Sequence, residues 1–188
     1  MEIYIYGGLG GLVLLIIIIS VVLSKRSKND SSHHFISGES DPKKDYYILS
    51  DILFHDGIRQ AKIDQLVINT SGIHAILEFH YEGQINGNKD RDEWSFTHKG
   101  VSDVFESPIK TARDLKLSMD KALKKDYPLF IYIVFPKTAE FKRIRSDVPI
   151  LLSNELQDEM NQNFKSKQKI SSNDVKLIYD LFLKIKNR

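Results

Sequence analysis

Two carboxylates and an imidazole stand on neighbouring β-prone runs of this chain. Asp64 lies between Lys62 and Asn69, and Glu78 and His80 lie between Ile73 and Tyr81. Side chains alternate between the faces of a strand. Asp64 is therefore expected on one face with Leu66 and Ile68, and Glu78 and His80 on one face with Ile76. Only Thr70-Ser-Gly72 separates the runs, which predicts a tight turn and an antiparallel hairpin. Such a hairpin brings two carboxylates and one His to a common sheet edge. Carboxylate oxygens and water suit Mg²⁺, with Mn²⁺ able to take its place. A metal held there would bind a scissile phosphate, activate water and stabilise the leaving oxygen. The same spacing also describes ordinary solvent-facing strand positions, and spacing alone does not choose between the two.

The surrounding elements alternate. Tyr46 to Phe54 reads as a first strand, Lys62 to Asn69 as a second and Ile73 to Tyr81 as a third. Gly83 to Asp92 reads as loop and Trp94 to Thr97 as a short strand. Ser107-Pro108 opens a helix, since Ser caps and Pro fits a first turn. Its buried face is Ala112, Leu115, Met119, Ala122 and Leu123. Leu129 to Phe135 reads as a buried strand stopped by Pro136, and Val148 to Leu152 as another. A helix follows from Asn154. A last one starts at Ser171, with Asp174 at capping-box spacing, and runs towards Lys186. Strands alternating with helices predict an α/β fold, a mixed β-sheet flanked by helices.

The chain has 188 residues, 41% hydrophobic and 28% charged, a globular balance. It has no cysteine, which excludes disulfides and thiolate metal sites. Net charge is only +2, so any contact with nucleic acid or lipid must come from local clusters. Lys110, Arg113, Lys116, Lys121, Lys124 and Lys125 decorate the first long helix. Lys137, Lys142, Arg143 and Arg145 flank a strand end, and a basic tail runs from Lys165 to Arg188. These suit phosphates or anionic lipid, and equally suit solvated faces. Residues 3–23 carry no charge, and about 20 apolar residues cross a bilayer core of ~30 Å. Lys25, Arg26 and Lys28 follow, and nothing basic precedes. This predicts a transmembrane helix, single-pass in the cell membrane, with the C-terminal part in the cytoplasm. The expected organisation is an anchor over 1–24, a polar linker over 25–45, a domain over 46–164 and a basic C-terminal helix over 165–188.

The run from Lys62 to His80 resembles the core of the nuclease-related (NERD) domain. That family reads QIDH, a hydrophobic strand, a Ser-x-Gly-Ile turn, a second strand and ETKN. Tyr81-Glu-Gly83 with Ile85-Asn-Gly87 resembles its NYxGxIxG stretch, and Trp94 falls where the family has Trp. Ser107-Pro-Ile-Lys110 resembles the start of its NPIKQN helix, with Thr111 at the Gln position. Ile131 to Phe135 with Ala139-Glu-Phe-Lys142 resembles its IVFSxxAELK segment. The resemblance spans about Tyr46 to Met160. It implies a restriction-endonuclease-like fold of the PD-(D/E)XK type and metal-dependent hydrolysis of nucleic acid. Asp64 and Glu78 would bind Mg²⁺, and His80 stands where the family's catalytic Lys belongs. An imidazole of ordinary pKa is mostly neutral at pH 7, whereas Lys is permanently charged. Lys62, near Asp64, is the candidate to replace that charge. Glu39 is the candidate for the family's upstream metal-binding Glu. The alternative is a degenerate module that binds nucleic acid or a protein partner at the membrane without cutting.

Overall fold

Isoleucine, leucine and valine recur through the chain from Tyr47 to Glu78, whose three strands pair antiparallel. The structure is a computed structural model and describes residues 36, 38–55, 57, 59–123, 125–165 and 169–187. Strand β1 (Tyr47–His55) pairs with β2 (Gln60–Asn69) along nearly its whole length. β2 pairs with β3 (Gly72–Glu78) only from Asn69↔Gly72 to Gln65↔Ile76. The far edge of β3 pairs in parallel with β7 (Leu129–Phe135), and β9 (Ile150–Leu152) pairs in parallel with β7. The five-stranded order is β1-β2-β3-β7-β9.

Both faces of this sheet are buried, as β3 and β7 require, being apolar at nearly every position. Leu66, Ile68, Ile73, Ala75 and Leu77 pack with helix α1 (Pro108–Leu123) and helix α3 (Ser172–Lys186). Val67, Ile76, Tyr132 and Val134 pack on the other face with helix α2 (Leu156–Phe164) and Ile36. The starts of α1 and α3 are those read from the sequence, whereas α2 begins at Leu156, two residues after the expected Asn154. The Ser107 hydroxyl accepts from the Lys110 amide, and the Ser171 hydroxyl caps α3 by accepting from the Asp174 amide at 3.2 Å. Val175, Ile178 and Phe182 make the C-terminal helix part of the larger core.

A second sheet, β6-β5-β4-β8, departs from the single sheet expected. It comprises β4 (Gly83–Asn88), β5 (Glu93–His98), β6 (Val101–Glu106) and β8 (Ala139–Arg145). The expected loop after Gly83 is half strand. β4 carries one buried apolar residue, Ile85, among polar residues and glycines, so its own sequence gives no strand signal. Partners on both sides make it a strand: β5 antiparallel and β8 parallel. The third strand, expected to reach Tyr81, stops at Glu78, and Tyr81 stacks its ring on Phe105.

The two glycines of β4 have separate physical reasons. Gly83 has φ +81°, and a Cβ there would lie 2.3 Å from the Thr97 carbonyl oxygen. At Gly87 a Cβ would lie 2.1 Å from the buried indole of Trp94. That indole is held in place by its own N–H donating to the Asn88 carbonyl at 3.1 Å. Gly87→Ala is therefore expected to cost about 3 kcal/mol by overpacking, read as a lower urea midpoint at unchanged slope. A midpoint equal to that of the unaltered chain would refute this packing.

Among the described residues no helix is long and apolar enough to cross a membrane. The apolar run 3–23, expected as an anchor, lies outside them.

Candidate active site

The site forms where the ladders of β1, β2 and β3 come apart. β1 and β2 pair at Ser50↔Gln65 and at Ile52↔Ile63, but Asp51 and Asp64 between them are unpaired. Asp51 has φ +53°, uncommon for a residue with a side chain. Alternation shifts by one at this break: Leu49 and Ile52 on β1, and Ile63 and Leu66 on β2, all enter the same core. The expectation that Asp64 shares the face of Leu66 and Ile68 is thus corrected. Asp64 sits at the break, beside Lys62.

Beyond Gln65, β2 leaves β3, and one backbone donor of β3 needs a new partner. The amides of Ile73 and Phe79 donate towards the β7 side, to Pro128 and Val134. By alternation the Glu78 amide faces the side that β2 has vacated. It donates to Asp64 Oδ2 at 2.7 Å. A carboxylate thus replaces a ladder carbonyl, which fixes Asp64 against the backbone of the second acidic residue.

The other oxygen, Asp64 Oδ1, lies 2.9 Å from Lys62 Nζ, which is also 3.5 Å from Asp51 Oδ1. The hydrogen bond that Lys62 donates to Asp64, helped by the Asp64 and Asp51 charges, raises the Lys62 pKa above its ordinary value, against a smaller effect of burial. Glu78 Oε2 lies 3.9 Å from His80 Nε2. Asp64 and Glu78 are sheltered, at 14% and 5% side-chain exposure, whereas Lys62 and His80 are at 52% and 65%. Acceptors lie within and donors at the mouth. His80 follows the end of β3 rather than extending its face. The cluster lies at the carboxyl end of the parallel β3–β7 pair, where open α/β sheets receive ligands.

Glu39 is exposed, in the segment before a 3₁₀ turn at Pro42–Lys44. Among the described residues no three His, Asp or Glu side chains are grouped to hold a metal, so Glu39 does not join Asp64 and Glu78. A closed all-protein cage is therefore not on offer among them. Asp64, Glu78 and His80 do not form such a group either; a Mg²⁺ ion that keeps several waters needs only one or two carboxylates plus substrate phosphate.

The basic clusters divide. On α1, Arg113 pairs with Asp147, Lys116 with Asp120 and Lys110 with Glu106, while Lys125, just beyond it, pairs with Asp174. Lys142, Arg143 and Arg145 on β8 are exposed and make no ion pair among the described residues. Arg143 and Arg91 line a cleft of about 820 Å³ on the second sheet, with Asn86 and Asn88. Asp64 and Glu78 do not line it.

His74 is buried and has partners at both ring nitrogens. Ser71 Oγ and Asn69 Oδ1 are 2.6 Å apart, and the Asn69 oxygen also accepts the Ser71 amide. The Ser71 hydroxyl therefore donates to Asn69 and must accept from His74 Nε2, at 3.1 Å. His74 Nδ1 is then the acceptor for the Tyr132 hydroxyl at 3.0 Å, which itself accepts from Asn163 Nδ2 at 3.0 Å. One neutral tautomer satisfies every link. Burial pushes the His74 pKa down to about 3 and that of Tyr132 up to about 12. Asn69 and Ser71 in the turn and a Tyr within the buried β7 run were the available signals.

Compared with models of known families, residues 31–136 match the nuclease-related domain. No curated protein and no solved structure matches the chain.

Proposed function

Because the chain belongs to the nuclease-related domain family, we propose that it hydrolyses phosphodiester bonds of nucleic acid with a divalent metal at Asp64 and Glu78. The observation carrying this reading is the 2.7 Å bond from the Glu78 amide to Asp64 Oδ2. It ties the Asp64 carboxylate to the Glu78 backbone through one oxygen, while the other oxygen meets Lys62. When bound there, Mg²⁺ would supply Lewis acidity towards the phosphate and a more acidic water. Asp64 and Glu78 would hold it, with the Asp64 carboxylate oriented by the backbone rather than by a mobile side chain. His80, exposed at the mouth, is placed to take or give a proton. The cations of β8, which make no ion pair among the described residues, would meet backbone phosphates. Residues 3–23 would anchor the protein in the cell membrane, single-pass, with the domain in the cytoplasm.

The test is cleavage by the full chain in detergent, offered labelled single- and double-stranded DNA and RNA with Mg²⁺ or Mn²⁺. Cleavage abolished by EDTA is expected. No cleavage of any substrate with either metal would reject the reading.

His80 favours a second reading, a degenerate module that binds nucleic acid or a protein at the membrane without cutting. On this reading cleavage would be seen only with His80→Lys. Cleavage by the unaltered chain removes it.

A further inference from the structure

Position 80 carries no permanent charge, and its imidazole is mostly exposed past the end of β3. A lysine stands instead two residues before Asp64 on the adjoining strand. Relative to the pattern described above, the chain has Lys where QIDH has Gln and His where ETKN has Lys. Ala61 and Ile63 are buried in the larger core, so Lys62 points away from it. The unpaired Asp51–Asp64 step puts the Asp64 carboxylate on that same side, with Nζ 2.9 Å from Oδ1.

We infer that Lys62 is a further catalytic residue: its ammonium, delivered from β2 instead of β3, contacts the scissile phosphate and stabilises the negative charge that builds on it. This rests on the nuclease reading above. Lysine suits the role, being a compact point charge on a flexible stem. With nothing bound, its acceptors are Asp64 and Asp51. A phosphate oxygen in front of Asp64 offers a third acceptor within the same sweep of the side chain. An ammonium aimed at phosphoryl oxygens acts most strongly in the transition state, where their charge is greatest. The competing account is an exposed ion pair of small energetic worth, which would leave turnover untouched.

The experiment compares the full chain with Lys62→Met, His80→Lys and the double variant. It measures kcat and KM for cleavage, Mn²⁺ affinity without nucleic acid, and the urea midpoint. Lys62→Met is expected to lower kcat about a hundredfold with much less change in KM, as for loss of one transition-state donor. It is also expected to bind Mn²⁺ several-fold more tightly, because no ammonium then competes for Asp64. The double variant is expected to recover at least part of kcat, since position 80 regains an ammonium. Equal kcat in Lys62→Met and the unaltered chain overturns the inference while leaving the nuclease reading intact. So does a loss of kcat that comes with a lowered urea midpoint, unchanged Mn²⁺ affinity and no rescue. If the unaltered chain does not cleave, both fall. Mn²⁺ binding that disappears in Asp64→Asn would then mark a metal site without hydrolysis.

Discussion

Asp64→Asn is expected to slow Mg²⁺-dependent cleavage by about a thousandfold and to leave the fold intact. A metal's charge stabilisation is worth several kcal/mol, and each tenfold in rate is about 1.4 kcal/mol. The asparagine keeps an oxygen for the Glu78 amide, now donating at 2.7 Å, and gives up the charge and the acceptor for Lys62. Asp64→Ala removes that oxygen as well. It leaves the Glu78 amide without its acceptor at the place where β2 has already departed, and should cost a further 1–3 kcal/mol of stability, roughly. The pair of variants thus separates chemistry from architecture. Glu78→Gln should match Asp64→Asn in rate, and the double variant should be little worse than either, since the carboxylates would act as a unit. Rates come from kcat/KM with Mg²⁺, and stability from urea unfolding. A rate for Asp64→Asn within tenfold of the unaltered chain would remove Asp64 from the reaction.

Acid should unfold this domain through His74. The ring is fully buried and is held neutral down to about pH 3, whereas in the unfolded chain it takes a proton near pH 6.5. The unfolded state therefore binds more protons between those values, and stability falls as pH falls from 6.5 towards 3. Between pH 7 and pH 4 the loss from this group is about 3 kcal/mol. That is a large part of the 5–15 kcal/mol, roughly, that holds a typical domain folded. Tyr132 sets the opposite limit. Burial first, and the nearby Glu159 charge, raise its pKa to about 12 against the hydrogen bond from Asn163. Stability is then lost as pH rises from 10 to 12. Urea unfolding of the unaltered chain and of His74→Gln at pH 7 and pH 4 checks the acid arm. The stability difference between the two chains should shift by about 3 kcal/mol in favour of His74→Gln at pH 4. A difference that does not change with pH would exclude His74 as the sensor.

Much of the scaffold was legible because its signals are local. The β2–β3 hairpin, the Ser107 and Ser171 caps and the apolar run of β7 each announce themselves within a few residues. β4, β6 and β8 do not. Their burial alternates weakly, and β4 is a strand because β5 and β8 flank it, which no window of sequence contains. For the candidate site, the strands that carry Asp64 and Glu78 were legible and the geometry was not. Asp64 meets the Glu78 backbone through a break in pairing, where uninterrupted alternation had put the two side chains on matched faces. That break needs Asp51, thirteen residues earlier, in a left-handed conformation. Glu39 illustrates the converse: a family position carried over by order along the chain, with a backbone path that leaves it in solvent.

The N-terminal approach to the sheet has a practical corollary for anyone preparing a soluble version. Ile36 is buried against Val67 and Ile76, and its amide donates to Gln65 Oε1 at 3.0 Å while its carbonyl accepts from Gln65 Nε2 at 3.4 Å. Gln65 is almost wholly enclosed and is the immediate neighbour of Asp64. A truncated product that starts at the first strand would strand that amide without either partner, one residue from the proposed catalytic carboxylate. The cloning boundary is therefore dictated by Ile36, ahead of the first regular element.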